Sequence, residues 1–131
     1  MLKINQDDMS ISLTRGDSVA FDVQAKQGDS VYEYAESDII HFRVSEAKDV
    51  GEELLALSFR PIKGEDGKYS VQVQLDAEDT RNLGKAASKP VEYWYEVSLE
   101  NGAGEQTIIG YDEDGAKILR LYPEIKKTST E

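Results

Sequence analysis

His41 is the only histidine in the chain, so any serine–histidine–acid triad must pass through it. It lies between Ile40 and Phe42 beside Arg43, and on a strand it alternates outward. A solvated surface histidine accounts for that position, and no hydrolase chemistry is expected. There are no cysteines, which removes a thiol nucleophile, a disulfide framework and a cysteine-ligated zinc or iron–sulfur site. Carboxylates are abundant, at Asp7-Asp8, Glu52-Glu53, Glu65-Asp66, Asp76/Glu78/Asp79 and Asp112-Glu113-Asp114. Calcium needs about six to eight oxygens converging from loops. The segment YDEDGAK lacks the D-x-D-x-D-G spacing of a hand-type loop, which leaves Asp112 and Asp114 as calcium candidates against the plainer reading that Asp and Gly make turns. A glycosidase needs two carboxylates about 5–10 Å apart beside a sugar groove. With 26 acidic residues some pair meets that distance by chance, so the signal carries nothing. The residues predict no catalytic group, no cofactor and no metal.

Trp94 is more informative. In VEYWYEVSLENG, Val91, Tyr93, Tyr95, Val97 and Leu99 share one face at period two, and Glu92, Trp94, Glu96 and Ser98 share the other. That alternation predicts a half-buried strand with its aromatic face in the core. Trp94 then stands on the polar face between Glu92 and Glu96, where it can anchor a partner or stack a sugar ring, as Trp is enriched in interface hot spots. The plainer alternative is that Lys and Arg stems or a neighbouring strand cover it. Trp94, Glu92 and Glu96 are the candidate binding residues.

The rest of the chain is arranged to pair with that central strand. Alternating segments predict strands at Met9–Leu13, Ser18–Gln24, Asp38–Ser45, Glu53–Arg60, Lys68–Leu75, Glu105–Gly110 and Ala116–Tyr122, with VYEYAE at Val31–Glu36 either a short strand or a loop. Asn101-Gly102 and the GEDG of Gly64–Gly67 are hairpin turns. Arg15-Gly16-Asp17 reads as a turn, although its letters also spell an adhesion tripeptide. LDAEDTRNLG predicts a short helix, capped by Asp76 and closed by Gly84. Seven or eight strands at spacings of roughly 10 to 15 residues, with one helical turn before the central strand, predict an all-β, immunoglobulin-like antiparallel β-sandwich. In such domains a tyrosine near the start of the strand after the crossover bonds back to the crossover, a part open to Tyr93 or Tyr95. The predicted core is Phe21, Phe42, Tyr69, Val71, Val73, Tyr93, Tyr95 and Val97. Strands Met9–Leu13 and Ala116–Tyr122, near the chain ends, are expected at sheet edges, open to self-association.

The 131 residues fit one domain, taken as 1–122, followed by a flexible tail at 123–131. With 26 acidic against 15 basic residues the net charge is −11. A surface this acidic repels phosphate backbones, which argues against nucleic acid and for a basic partner or cations. No apolar run approaches the roughly 20 residues of a membrane helix, and Asp7-Asp8 stands where a signal peptide would be apolar. The expectation is a chain that starts in the cytoplasm or is exported without a Sec signal, with no membrane partner.

Three segments together, INQDDMSISLTRGDSVAFDV, LDAEDTRNLG and VEYWYEVSLENG, resemble a family of small immunoglobulin-like proteins encoded in tail or baseplate regions of phages and prophages of Gram-positive bacteria. More loosely, they are similar to the N-terminal domain of phage upper baseplate proteins. The resemblance runs in order over about residues 4–122 and rests on turn and strand motifs. It implies a non-enzymatic structural role in the virion, other phage structural proteins or further copies of the chain as partners, and no catalytic residues. Two departures stand out: the insert Tyr111–Gly115 lengthens the way to the last strand, and baseplate proteins continue into further modules where this sequence stops. The second departure favours a free-standing small protein. The competing expectation is a carbohydrate- or surface-binding sandwich that uses Trp94 and nearby tyrosines.

Overall fold

The computed structural model describes residues 2–5, 7–27, 30–47, 53–84, 89–109 and 116–124. Among these, the strands in chain order are β1 (Leu2–Ile4), β2 (Ile11–Thr14), β3 (Val19–Val23), β4 (Lys26–Gln27), β5 (Ser30–Val31), β6 (Ile39–Ser45), β7 (Glu53–Phe59), β8 (Ile62–Lys63) and β9 (Tyr69–Leu75). Helix α1 (Ala77–Asn82) follows, then β10 (Val91–Asn101), β11 (Gly104–Ile109) and β12 (Lys117–Tyr122). The longer strands sit where apolar and polar residues alternate. The sequence reading passed over β1, β4 and β8 as strands, because two or three residues are too few to show a period.

The seven-stranded sheet runs β1-β2-β12-β10-β6-β7, with β11 also paired to β10. β10 is long enough to take two partners along one side: β12 pairs with Val91–Tyr95 and β11 with Val97–Asn101, while β6 fills the other side. The second sheet is β3-β9-β8, and β4 and β5 form a separate two-stranded ribbon. The chain is thus mostly β, as expected, but the sheet is mixed: β12 lies parallel to β2. This overturns a purely antiparallel arrangement, because Leu119–Tyr122 registers in the same direction against Ile11–Thr14. It also moves the edges. Among the described residues β2 and β12 are interior strands of the large sheet, and its edges are β1, β7 and the outer side of β11.

α1 and the turn after β2 lock together. Asp76 Oδ1 accepts from the Asp79 N–H at 2.8 Å and Asp79 Oδ2 from the Asp76 N–H at 3.0 Å, a reciprocal cap that starts the helix. Fully buried Thr80 accepts from the Gly16 N–H at 2.9 Å and donates to the Asp17 carbonyl at 3.0 Å. Arg15 Nε donates to the Gly84 carbonyl at 2.8 Å, and its guanidinium pairs with Glu124, which Arg81 also reaches. Arg15-Gly16-Asp17 is therefore a structural clamp. Gly16 at φ +89° supplies the left-handed turn it needs. Glu124, assigned to the tail from sequence, is held by this clamp, and residues 125–131 lie outside the described residues.

Residues of both sheets form one buried cluster: Phe21 of β3 meets Phe42 of β6 edge-on at 6.0 Å, and Phe42 meets Tyr95 of β10 at 5.7 Å. The predicted core residues are buried, except that Tyr69 is only half-buried where β9 begins opposite the exposed Lys63 of β8. Two core phenols have their hydroxyls spoken for. Tyr34 donates to the Val23 carbonyl at 2.8 Å and Tyr95 to the Met9 carbonyl. Burial pushes the Tyr34 phenol up to about 12 and raises Tyr95 as well. A group whose folded pKa is raised stabilises the fold fully below its unfolded value, and that contribution drains as pH rises through the folded one. Stability is accordingly expected to hold to about pH 10 and to fall as pH rises from about 10 to about 12, with solvent screening at half-buried Tyr34 reducing its share. Urea midpoints measured across that range check this. Tyr34→Phe should flatten the fall, and an unchanged slope would contradict it.

No helix among the described residues is long and apolar enough to cross a membrane.

Candidate functional site

The outer face of the large sheet carries the polar residues that the strand alternation turns away from the core. Register sorts them into rungs. Arg120 of β12 faces Glu92 of β10. Ile118, Trp94 and Ser45 form the next rung, across β12, β10 and β6. Glu96 faces Arg43, Ser98 faces His41 and then Ser58 of β7, and Glu100 faces Glu105 across the hairpin.

Trp94 is half-buried on this face, with exposed Glu92 on one side and half-buried Glu96 on the other. Arg120 Nε donates to Glu92 at 2.9 Å, and Arg43 stands 3.8 Å from Glu96. The three residues singled out in the sequence are thus brought together, and two arginines flank them. Asp112 and Asp114 lie outside the described residues.

A tighter network lies further along β10. Glu100 and Glu105 face each other across the hairpin, an arrangement that like charges disfavour. Cations offset it. Arg43 donates to Glu105 Oε2 at 2.8 Å and to Oε1 at 3.3 Å, and both groups bond Ser98 Oγ at 3.1 Å. Laid over Ser98, this ion pair explains how a serine on the outer face comes to be 1% exposed. The Arg43 guanidinium holds the Glu105 carboxyl below the usual carboxylate range. His41 Nε2 lies 2.7 Å from Glu100 Oε1 and 3.8 Å from Glu105 Oε1, and Nδ1 lies 2.8 Å from Ser58 Oγ.

Sequence reasoning treated His41 as an isolated surface residue and missed this group. The Glu100–Glu105 pair was open to inference from the tight hairpin turn. The registers of β6 and β7 with respect to β10 were not, because they join segments far apart in the chain. Ser58, His41 and Glu100 match a triad by residue type. Yet Ser58 is exposed on an edge strand and Glu100 is half-exposed, whereas nucleophilic catalysis works in a site that sheds water. A scan against protein-family models finds no match to the chain, and a search of curated proteins finds none.

Proposed function

We propose that the chain is a non-enzymatic interaction module with an immunoglobulin-like sandwich fold, which serves in a phage or prophage tail or baseplate and docks through the outer face of its large sheet. The fold reading is supported by the order β2-β12-β10-β6-β7 in one sheet and β3-β9-β8 in the other, with a helical crossover between β9 and β10. Tyr93, two residues into β10, adds support, since its hydroxyl packs against the crossover at Gly84.

The docking reading is carried by one observation: the chain's only tryptophan stands half-buried on the outer strand face between two carboxylates with arginine partners. Trp and Arg supply a large share of the binding energy at protein interfaces. A net charge of −11 speeds encounter with a basic partner surface. Among the described residues β7 is an edge strand beside the same face, open to pairing with a partner strand. The phage setting rests on the resemblance of the three segments.

The test is capture, by the immobilised chain, of tail proteins encoded beside its own gene. The expected result is one salt-sensitive complex, lost in a Trp94→Ala variant with unchanged melting. A chain that stays monomeric and captures none of them overturns the reading. Trp94-dependent binding to a polysaccharide instead would move the chain to the carbohydrate-binding class.

A further inference from the structure

We propose that His41, Glu100 and Glu105 form a binding site for a divalent first-row transition cation, with zinc as its representative. Each of the three residues places one ligand atom within 4.8 Å of the other two, and His41 Nε2 lies 2.7 Å from Glu100 Oε1 and 3.8 Å from Glu105 Oε1. Two ligands about 2.1 Å from a tetrahedral ion lie about 3.4 Å apart. The 2.7 Å and 3.8 Å separations from Nε2 bracket that spacing and the two carboxylates lie within 4.8 Å of each other, so side-chain shifts of about an ångström close the set. The donors come from β6, β10 and β11, three adjacent strands whose register fixes their origins.

Two of the three ligands are also held from behind, as metal ligands require. His41 keeps its ring in place through the 2.8 Å bond from Nδ1 to Ser58, which leaves Nε2 turned to the carboxylates. Glu105 is gripped mainly by its other oxygen: Oε2 lies 2.8 Å from Arg43 and 3.1 Å from Ser98, and Oε1 is the more loosely held at 3.3 Å. Oε1 can therefore ligate while Oε2 stays on its partners. Arg43 is a cation close by, but Glu96 at 3.8 Å shares its charge. One imidazole with two carboxylates suits zinc and its neighbours, whereas calcium and magnesium demand more oxygens. Neutral imidazole and two carboxylates carry two negative charges, which a divalent ion balances. A fourth position is left to water.

The test uses the tag-free chain, so that His41 is the only histidine in the sample. Titration calorimetry with zinc chloride is expected to give one saturable site per chain, lost in His41→Gln and in Glu100→Gln/Glu105→Gln, with calcium chloride giving no heat at the same concentration. Ser58→Ala, which frees the ring, is expected to weaken binding about 10- to 100-fold. Imidazole nitrogen NMR of the unaltered protein guards against variants that misfold, and zinc should shift Nε2 far more than Nδ1. No saturable binding up to millimolar zinc, or binding that leaves the His41 nitrogen signals unmoved, overturns the proposal. Because none of these readouts involves a partner protein, they stand or fall apart from the docking reading.

Discussion

Replacing Tyr95 by alanine is expected to cost about 3–5 kcal/mol, the largest single effect in the chain. Its side chain is 1% exposed at the middle of β10, its ring lies 5.7 Å from that of Phe42, and its hydroxyl reaches the Met9 carbonyl in the turn between β1 and β2. Truncation removes ring volume from the layer shared by both sheets and unties the β1–β2 turn, where Met9 holds a left-handed φ of +59°. Tyr95→Phe separates the two effects: it keeps the ring and strands one carbonyl, for a loss of about 1–2 kcal/mol. Urea unfolding of both variants measures this. A loss below about 1.5 kcal/mol in Tyr95→Ala would mean that the ring is not part of the packed layer.

Gly84→Ala is expected to be nearly as damaging, at about 2–4 kcal/mol. Gly84 follows the end of α1 with φ +139°, a conformation that residues with a Cβ rarely adopt. A methyl group there would run into the Tyr93 hydroxyl. The Gly84 carbonyl also accepts from Arg15, so any shift of this residue reaches the clamp that joins β2, α1 and Glu124. Tyr93→Phe in the alanine background takes away the hydroxyl and should restore part of the loss, leaving the backbone strain. Melting temperatures of the two single variants and the double variant resolve these contributions. Equal stability of Gly84→Ala and the parent would contradict the tight approach of crossover and strand.

The legible parts of the fold are those that local chemistry decides. Alternation in β6, β9 and β10 was sufficient to separate the buried Phe42, Val73 and Tyr95 from the outward His41, Gln72 and Trp94, because a strand flanked by one core has a fixed period of two. The acidic start of α1 and the glycine after it marked the helix for the same reason. Neighbour relations between distant segments were not legible. Nothing in KILRLY says that it lies parallel to ISLT, nor that β1 folds back to cover β2 and take the edge. Polarity alone also hid what Arg43 does, since its role depends on Ser98 and Glu105, which reach it only through the pairing of β6 with β10 and β10 with β11. The same limit explains why Trp94, Glu92 and Glu96 could be read as a group from one strand, whereas His41, Glu100 and Glu105 could not.

Trp94 is the only tryptophan, so emission excited at the red edge of absorption, where the seven tyrosines do not contribute, reports on the outer face of the large sheet. Titrating the chain with phage tail proteins, the partners proposed for it, while recording emission maximum and acrylamide quenching, tests the docking face most directly. A saturable blue shift with reduced quenching, weakened as salt is raised, is the predicted result. A stable complex whose tryptophan emission and quenching match those of the free chain would contradict docking through this face.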